Sequence, residues 1–223
     1  MKILHYISDL HLEKRASTFP VWHSPQSRTR KLPLFLAGDI GNPKKPNYAE
    51  FLGHASDRYA RVFLVPGNHE FWGQRQETAE ANKRIRALAD SLPNVSFLNR
   101  QAVEFQGAIV AGCTLWTPAT CAREYIEDIF FLHKQIKRAE LLRKKLIIMT
   151  HHLPTRALID RRYANSSRYK LENWASRSES VFSPSISAWI CGHTHDTINK
   201  DIGGVRFLVN SESKSIAEFY FNK

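Results

Sequence analysis

Residues 61–70 read RVFLVPGNHE, an apolar run that stops at Gly67 and is followed by Asn68, His69 and Glu70. A short apolar run bounded by turn residues indicates a buried strand. Gly67 permits a sharp exit from that strand, because glycine adopts backbone angles that other residues avoid. Taken alone, the block fits either a metal site or an ordinary turn with a hydrogen-bonded histidine.

Four further apolar runs end on side chains that can bind a metal. They are residues 3–8 before Asp9 and His11, residues 32–38 before Asp39, residues 146–150 before His151 and His152, and residues 188–192 before His193 and His195. Asp9 and His11 can face one ion, because residues i and i+2 of an extended segment point the same way. Ligands of an open α/β sheet bind outside the carboxyl ends of its strands. The five runs therefore predict one polar site on which five strands converge.

The composition suits a single domain, residues 1–223, with a sizeable core, since 43% of the residues are hydrophobic and 24% are charged. No apolar run approaches the ~20 residues of a membrane span. The first residues lack the longer apolar core and the cleavage site of a secretory signal. Cys113, Cys121 and Cys191 share no paired spacing, so we expect reduced thiols and a cytoplasmic location.

The net charge of +11 favours anionic partners, such as phosphates, nucleic acid or an anionic membrane surface, although it also fits a basic surface without a specific partner. Two long loops carry much of this charge: residues 12–31 have a net +4 and residues 155–185 a net +3. Both follow strands that end on metal-capable residues, so we expect both to border the site. Arg161 and Arg162 in the second loop are candidates for phosphate contact.

The rest of the chain alternates strands with helices and contains no internal repeat. The predicted strands are residues 2–7, 33–37, 61–66, 95–98, 102–105, 108–113, 146–150, 187–191, 205–209 and 216–221. The predicted helices are residues 46–59, opened by Pro46, and residues 75–92 and 124–145. The closely spaced runs between residues 95 and 113 are more typical of an antiparallel pair than of another βαβ unit.

The five blocks form a set: Asp9-x-His11, Gly38-Asp39, Gly67-Asn68-His69-Glu70, His151-His152 and Gly192-His193-Thr194-His195. The set resembles the signature of the calcineurin-like metallophosphoesterase superfamily, and the resemblance spans residues 9–195. In length the chain is similar to the small, stand-alone bacterial-type members. The resemblance implies an α/β fold: a four-layer αββα sandwich of two mixed β-sheets flanked by helices, with the site in the loops at the sheet edge.

The resemblance also implies a role for each block. Seven residues would hold two metal ions: Asp9, His11 and His195 the first, Asn68, His151 and His193 the second, with Asp39 bridging both. His69 would not bind metal but would stabilise developing charge or protonate the leaving oxygen. His151 fits the second ion better than His152, because it comes first after the strand and three residues before Pro154. Glu70 is expected to orient a neighbouring group rather than to bind metal.

The implied cofactor is a pair of divalent or trivalent transition metal ions. Imidazole, carboxylate and amide ligands without thiolate suit Mn, Fe, Zn, Co or Ni and argue against a structural zinc site. Two ions ~3.5–4 Å apart can clamp the attacking and leaving oxygens of an in-line displacement at phosphorus. Metal binding also lowers the pKa of water towards ~7. The implied activity is hydrolysis of a phosphoester by in-line attack of a metal-bridging hydroxide.

Residues 38–42 depart from the protein Ser/Thr phosphatases of this superfamily, which follow Gly-Asp with Asp-Arg-Gly. The departure favours a phosphodiester, with nucleotides and nucleic acids among the candidates, over a phosphoprotein. Two alternatives stay open. One is a nuclease or RNA-processing enzyme in which Tyr163, Tyr169 and Trp174 stack bases. The other is a catalytically silent interaction scaffold, against which the presence of His69 speaks.

Overall fold

Two β-sheets form the centre of the fold. The computed structural model describes residues 3–14, 19–20, 25–72, 78–164, 170–211 and 215–221. Within them the strands are β1 (Ile3–Ile7), β2 (Pro33–Ala37), β3 (Arg61–Val65), β4 (Val95–Phe97), β5 (Gln101–Phe105), β6 (Ala108–Gly112), β7 (Lys145–Met149), β8 (Ile186–Cys191), β9 (Thr197–Ile202), β10 (Val205–Asn210) and β11 (Ala217–Tyr220). The first sheet has the order β11-β1-β2-β3-β4 and the second the order β5-β6-β7-β8-β10-β9.

Helices connect the strands and cover the outer faces of the sheets. In the described part of the chain they are α1 (Gln26–Thr29), α2 (Pro46–Arg58), α3 (Thr78–Asp90), α4 (Pro118–Leu142) and α5 (Arg161–Ala164). Short 3-10 helices span His69–Phe71, Arg156–Leu158, Leu171–Asn173 and Glu179–Val181.

The central strands are apolar on both faces because each sheet is covered on both sides. In β2, Leu34 and Leu36 belong to a core shared with α2 and α3, whereas Phe35 and Ala37 point the other way. The latter pair belongs to the core between the sheets, to which Ile147 of the second sheet also contributes.

The outer face of the second sheet packs against α4. Leu132 and Ile136 of this helix lie in one core with Ile148 and Trp189 of the sheet. The layers therefore run helices, sheet, sheet, helix, which confirms the predicted four-layer αββα sandwich.

Strand direction explains why the site forms where it does. Strands β1 to β4 are parallel to one another, and so are β6, β7, β8 and β10. The carboxyl ends of both parallel sets meet at the same edge of the sandwich. The strand ends therefore converge at one edge of the sandwich, and both sheets contribute to that edge. Asp9 and Asp39 follow strands of the first sheet, and His151 and His193 follow strands of the second.

Several elements differ from the sequence-based expectation, among them the short helix α1, which lies within the predicted loop at residues 12–31. Strand β4 pairs in parallel with β3, so only β5 and β6 form an antiparallel pair in the closely spaced region. Helix α4 begins at Pro118, after a capping box formed by Thr117 and Thr120, but its backbone is non-helical at Cys121, so its continuous part begins after that kink, close to the predicted residue 124. Strand β9 was not predicted, since this exposed edge strand, TINKDI, has no apolar run. Residues 75–77 of the predicted second helix lie outside the described residues.

The described residues contain no helix long and apolar enough to span a membrane. Cys113, Cys121 and Cys191 are free, as predicted. His5 is buried and pairs with Tyr59 and Glu218, away from the site.

Candidate functional site

Five of the predicted ligands have a left-handed backbone conformation. The φ angle is 55° at Asp9, 47° at His11, 52° at Asp39, 71° at His193 and 56° at His195. This region costs a non-glycine residue roughly 1–3 kcal/mol and persists only where the surroundings enforce it. The strand ends are thus turned inward at an energetic cost, as is common at functional sites.

A glycine allows the two sheets to meet at this edge. A Cβ atom at Gly192 would lie only 2.7 Å from Oδ2 of Asp9, so the turn after β8 can approach Asp9 only without a side chain there. The same turn donates the backbone N–H of His193 to Oδ2 of Asp9 at 3.0 Å. Asp9 is thereby tied to the second sheet as well as to its own.

Glu70 fastens two strand ends of the first sheet together. Its carboxylate accepts the backbone N–H groups of Gly67 at 2.8 Å, Asp39 at 3.1 Å and Ile40 at 2.8 Å. These bonds confirm the expectation that Glu70 orients its neighbours. Burial, together with the nearby charge of Asp39, raises the pKa of Glu70 to about 8.

The first predicted ligand group is close together. The Nε2 atom of His195 lies 3.5 Å from Oδ1 of Asp9 and 3.5 Å from Nε2 of His11. Ser8 donates its hydroxyl to Oδ2 of Asp9 at 2.5 Å. Burial opposes ionisation of Asp9, but hydrogen bonding to His195 and the charge of His151 outweigh it and hold the pKa of Asp9 below its usual range.

The second group converges on His151. Its Nε2 atom lies 3.0 Å from Oδ1 of Asn68, 3.2 Å from Nδ1 of His193 and 3.4 Å from Oδ2 of Asp39. The opposite ring nitrogen, Nδ1, lies 3.0 Å from the carbonyl oxygen of Ala37. That bond fixes the ring so that Nε2 faces the group.

The residues fit a pair of metal ions. Three sets of ligand atoms lie within 4.8 Å of one another: Asp9 with His11 and His195, Asp39 with His151 and His193, and His11 with Asp39 and His69. Atoms bound at about 2.0–2.2 Å to one ion lie roughly 3.0–3.5 Å apart, which is the spacing found inside the first two groups. The third set joins Asp39 to His11 of the first group, and Asp39 also belongs to the second group. Asp39 therefore lies between the two candidate metal positions. It also includes His69, whose geometry allows metal binding as well as proton transfer.

His152 lies outside these sets although it is adjacent to His151. Its Nδ1 atom is 3.4 Å from the carbonyl oxygen of Thr114, and its ring lies 5.4 Å from that of Trp116. Successive residues leave the end of β7 in different directions, so only one of the two histidines reaches Asp39. The geometry favours His151 as the ligand.

The pKa values of the two imidazoles in the second group are shifted in opposite directions. Burial opposes protonation of His151, but the carboxylates of Asp39 and Asp9 outweigh it and raise the pKa of His151 to about 10. Burial and the charge of His151 lower the pKa of His193 to about 4. In the absence of metal the second group therefore holds one proton on His151, opposite the carboxylate of Asp39.

Glu13 is a site residue that sequence reasoning did not find. Its Oε1 atom accepts Nδ1–H of His11 and Nδ1–H of His69, each at 3.2 Å. Burial opposes ionisation of Glu13, but these two bonds lower its pKa below the usual range. Glu13 thus leaves the Nε2 atoms of both rings facing the site. The sequence signal that could have identified Glu13 is its spacing, because an acidic residue two positions after His11 can point in the same direction as His11.

We expect Glu13→Gln to lower kcat by about 10- to 100-fold, the usual loss when a partner of a metal-binding histidine is removed. Glutamine cannot accept two imidazole N–H groups as strongly as a carboxylate. The matched control is Glu218→Gln, which removes a similar contact, 3.1 Å from Nε2 of His5, away from the site. Equal kcat in wild type and both variants would contradict the role of Glu13.

A cavity of about 510 Å³ opens beside the second ligand group. Asn68, His152 and His193 form its inner wall, and Trp116 and Trp174 are among the residues that line it further out. Trp116 was not predicted, although it lies just beyond β6 and so obeys the same strand-end rule. The parallel direction of β6, which brings that end to the site, was not evident from the sequence.

Arg161 and Arg162 do not line this cavity. Arg162 is hydrogen-bonded to Asp196, and Arg161 lines a separate depression of about 720 Å³. Their contact with phosphate stays a prediction. Of the aromatic residues in that loop, Tyr163 packs against Trp174 at 5.1 Å, and Tyr169 lies outside the described residues.

Comparison with known proteins places the chain among phosphoesterases. A family model described as calcineurin-like phosphoesterase matches residues 1–197. Uncharacterized protein L509 of Acanthamoeba polyphaga mimivirus is 27% identical, in an alignment that covers 100% of this chain and 95% of that protein.

Two solved structures share the fold at low sequence identity. Phosphopantetheinyl hydrolase PptH from Mycobacterium tuberculosis has a TM-score of 0.60 at 17% identity, over 94% of this chain and 89% of its own. GAP50, the anchor in the inner membrane complex of Plasmodium, has a TM-score of 0.58 at 12% identity, over 95% of this chain and 72% of its own. One of these proteins is named as a hydrolase and the other as an anchor, so the function must be argued from the site.

Proposed function

The chain belongs to the calcineurin-like phosphoesterase family, and we propose that it is a dinuclear metal-dependent phosphoesterase that hydrolyses phosphodiester bonds. The observation that carries the proposal is the convergence of metal-capable side chains from two sheets around Asp39. The intact ligand set and the presence of His69 favour hydrolysis over a silent scaffold.

The ligand roles follow from the two groups. Asp9, His11 and His195 would hold one ion, Asn68, His151 and His193 the other, with Asp39 shared between them. When bound, the ions would polarise the phosphoryl oxygen and make hydroxide available at neutral pH.

His69 supplies the proton in this proposal. Its Nδ1–H bonds to Glu13 at 3.2 Å, and its Nε2 atom lies 3.8 Å from Oδ2 of Asp39, on the inner side of the site. As an imidazolium, His69 donates the Nε2 proton to the leaving oxygen, while the carboxylate of Glu13 stabilises the cation. Trp72 stacks on the ring at 3.7 Å and restricts its orientation.

The cavity beside the metal-capable groups leaves room for a second ester substituent, which supports a diester. Among the described residues that line it, Arg100 is the one Lys or Arg, and its guanidinium is paired with Asp128 at 3.0 Å and Glu127 at 3.3 Å. Glu124 adds a carboxylate to the same wall. The cavity therefore suits an uncharged ester substituent better than a further anionic group.

The direct test compares bis(4-nitrophenyl) phosphate with 4-nitrophenyl phosphate in the presence of Mn, Co, Ni or Zn. We expect turnover of both and a higher kcat/KM for the diester. Absence of turnover with every metal, in protein shown to be folded and metal-loaded, would refute the enzyme assignment. A higher kcat/KM for the monoester would refute the diester preference alone.

Metal binding should be tighter at higher pH and should raise Tm. Imidazole binds metal only when unprotonated, and the pKa of His151 is raised to about 10, so metal must displace its proton. Affinity should therefore increase with pH below that value. A ligand at 100 times its Kd stabilises the folded state by about 2.7 kcal/mol. Titration calorimetry in buffers of different ionisation enthalpy measures the released proton, and a pH-independent affinity would contradict this protonation state.

A further inference from the structure

The cavity beside the metal-capable groups is a second recognition element that the hydrolytic chemistry does not use. Its volume of about 510 Å³ lies within the range of small-molecule pockets. Three of its walls come from separate segments of the chain. Asn99 lies in the segment after β4, and Trp116 lies in the segment after β6. Trp174 directly follows the 3-10 helix Leu171–Asn173. Asn68 and His193 belong to both the cavity and the second ligand group, so a molecule with its phosphate at that group would extend into the cavity.

Indole rings dominate the walls. Trp72, Trp116 and Trp174 all line the cavity. Trp116 is held by Phe71 at 5.8 Å and by His152 at 5.4 Å, and Trp174 is held by Tyr163 at 5.1 Å. These ring contacts restrict the two indoles, and fixed aromatic rings in a cavity wall suit a planar aromatic ligand.

A pair of amides adds hydrogen-bonding capacity to the same wall. Asn99 donates its Nδ2–H to Oδ1 of Asn82 at 2.9 Å, and both residues line the cavity. That bond leaves the Oδ1 atom of Asn99 as an acceptor and the Nδ2 group of Asn82 as a donor. Adjacent donor and acceptor groups match the edge of a nucleobase, which alternates the same functions.

The charges argue against a second phosphate in the cavity. Arg100 is neutralised by Asp128 and Glu127, and Glu124 accepts a bond from the thiol of Cys121 at 2.6 Å. The cavity is therefore suited to an uncharged ring with polar edges. A molecule that joins such a ring to a phosphoester is a nucleotide.

We infer that this cavity binds the nucleobase of a nucleotide-type phosphodiester whose phosphate lies at the metal site. This inference deepens the proposed function and, for turnover, rests on it. Base stacking on an aromatic side chain contributes enough affinity that its removal weakens binding by roughly 5- to 100-fold.

Binding of free nucleosides to metal-free protein tests the cavity independently of catalysis. Equilibrium dialysis with the four common ribonucleosides should detect binding, with ribose as the negative control. Trp174→Leu and Trp116→Leu should each weaken that binding by roughly 5- to 100-fold. Phe130→Leu is the matched control, because Phe130 is 74% exposed on α4 outside the cavity, and its variant should bind like wild type. No nucleoside binding, or binding unchanged in both tryptophan variants, would overturn the inference.

A substitution that keeps the fold tests the amide pair. Asn82→Asp retains the acceptor for Asn99 but replaces the second donor by a carboxylate oxygen. The order of affinities among the four nucleosides should change. An unchanged order would show that the amides do not contact the base edge.

Kinetics with matched esters separate the inference from the proposed function. A nucleoside 5′-(4-nitrophenyl phosphate) and methyl 4-nitrophenyl phosphate have the same leaving group and differ in the nucleoside. We expect at least a roughly 10-fold higher kcat/KM for the nucleoside ester, and this preference should be lost in Trp174→Leu.

Turnover of the methyl ester without such a preference would overturn the inference and leave the proposed phosphoesterase activity in place. Nucleoside binding without turnover of either ester would support the cavity and refute the phosphoesterase. Competition by a short single strand, with salt-dependent affinity, would identify a strand end as the source of the base.

Discussion

Asp39→Asn should eliminate nearly all phosphodiester turnover and lower the metal content of the protein. Oδ2 of Asp39 lies 3.4 Å from Nε2 of His151 and 4.0 Å from Nε2 of His11, so one carboxylate serves both ligand groups. Asparagine keeps the size of the side chain but removes its negative charge. Loss of a hydrogen-bond partner of a metal ligand lowers metal affinity or activity by about 10- to 100-fold. Loss of a ligand shared by both ions should lower them by more than that.

Two measurements check this expectation. Elemental analysis should find fewer metal ions per chain, and kcat should fall by more than roughly 100-fold. Asp201→Asn, at an exposed aspartate on β9, is the control and should leave both quantities unchanged. Circular dichroism must show a folded variant, because Asp39 also accepts the backbone N–H of His69 at 2.7 Å. Full metal content with normal kcat would remove Asp39 from the site.

His69→Ala should lower kcat by about 10²- to 10⁴-fold while leaving the metal content unchanged, the range expected for loss of a general acid. His69 is held by Glu13 at Nδ1 and by stacking on Trp72, so its Nε2 atom is aimed at the reacting groups. The effect should depend on the leaving group. An ester of 4-nitrophenol, whose anion leaves without a proton, should lose less activity than an alkyl ester.

The comparison also separates general-acid catalysis by His69 from two other roles. If His69 binds metal, as the set formed with His11 and Asp39 allows, the alanine variant should lose an ion and all esters should suffer equally. If it stabilises developing charge without donating a proton, kcat should fall equally for all esters with metal retained. His133→Ala, an exposed position on α4, is the control for removal of an imidazole. Unchanged kcat with the alkyl ester would eliminate both catalytic roles.

Much of the fold could be predicted because the central strands are apolar along their whole length. The predicted strand at residues 33–37 coincides with β2, and the predicted helix that begins at Pro46 coincides with α2 to within one residue at its end. Strands at the sheet edges were harder to predict. The outer strand β9 carries Asn199, Lys200 and Asp201, and its pairing with β10 depends on backbone hydrogen bonds that leave no hydrophobic signature.

The candidate site could be predicted to the extent that its residues directly follow buried strands. Asp9, Asp39 and His151 all do so, and a strand end is visible as the abrupt stop of an apolar run. Glu13 and Trp116 were missed because their relevance depends on contacts across the chain. Glu13 meets a histidine 56 positions away, and Trp116 faces the cavity only because β6 is parallel to β7.

The sequence by itself determined the types of the metal-capable side chains, their order and their places at strand ends, because these are local properties of the chain. It also determined that the central strands are buried on both faces. Only the tertiary structure decided which candidate ligands lie together, that His151 rather than His152 faces Asp39, and that Glu13 contacts two imidazoles. It also decided the nature of the cavity, whose walls come from segments more than 100 residues apart. The physical reason is that strand register and sheet-to-sheet packing set these distances, and both arise from many weak contacts spread over the whole core.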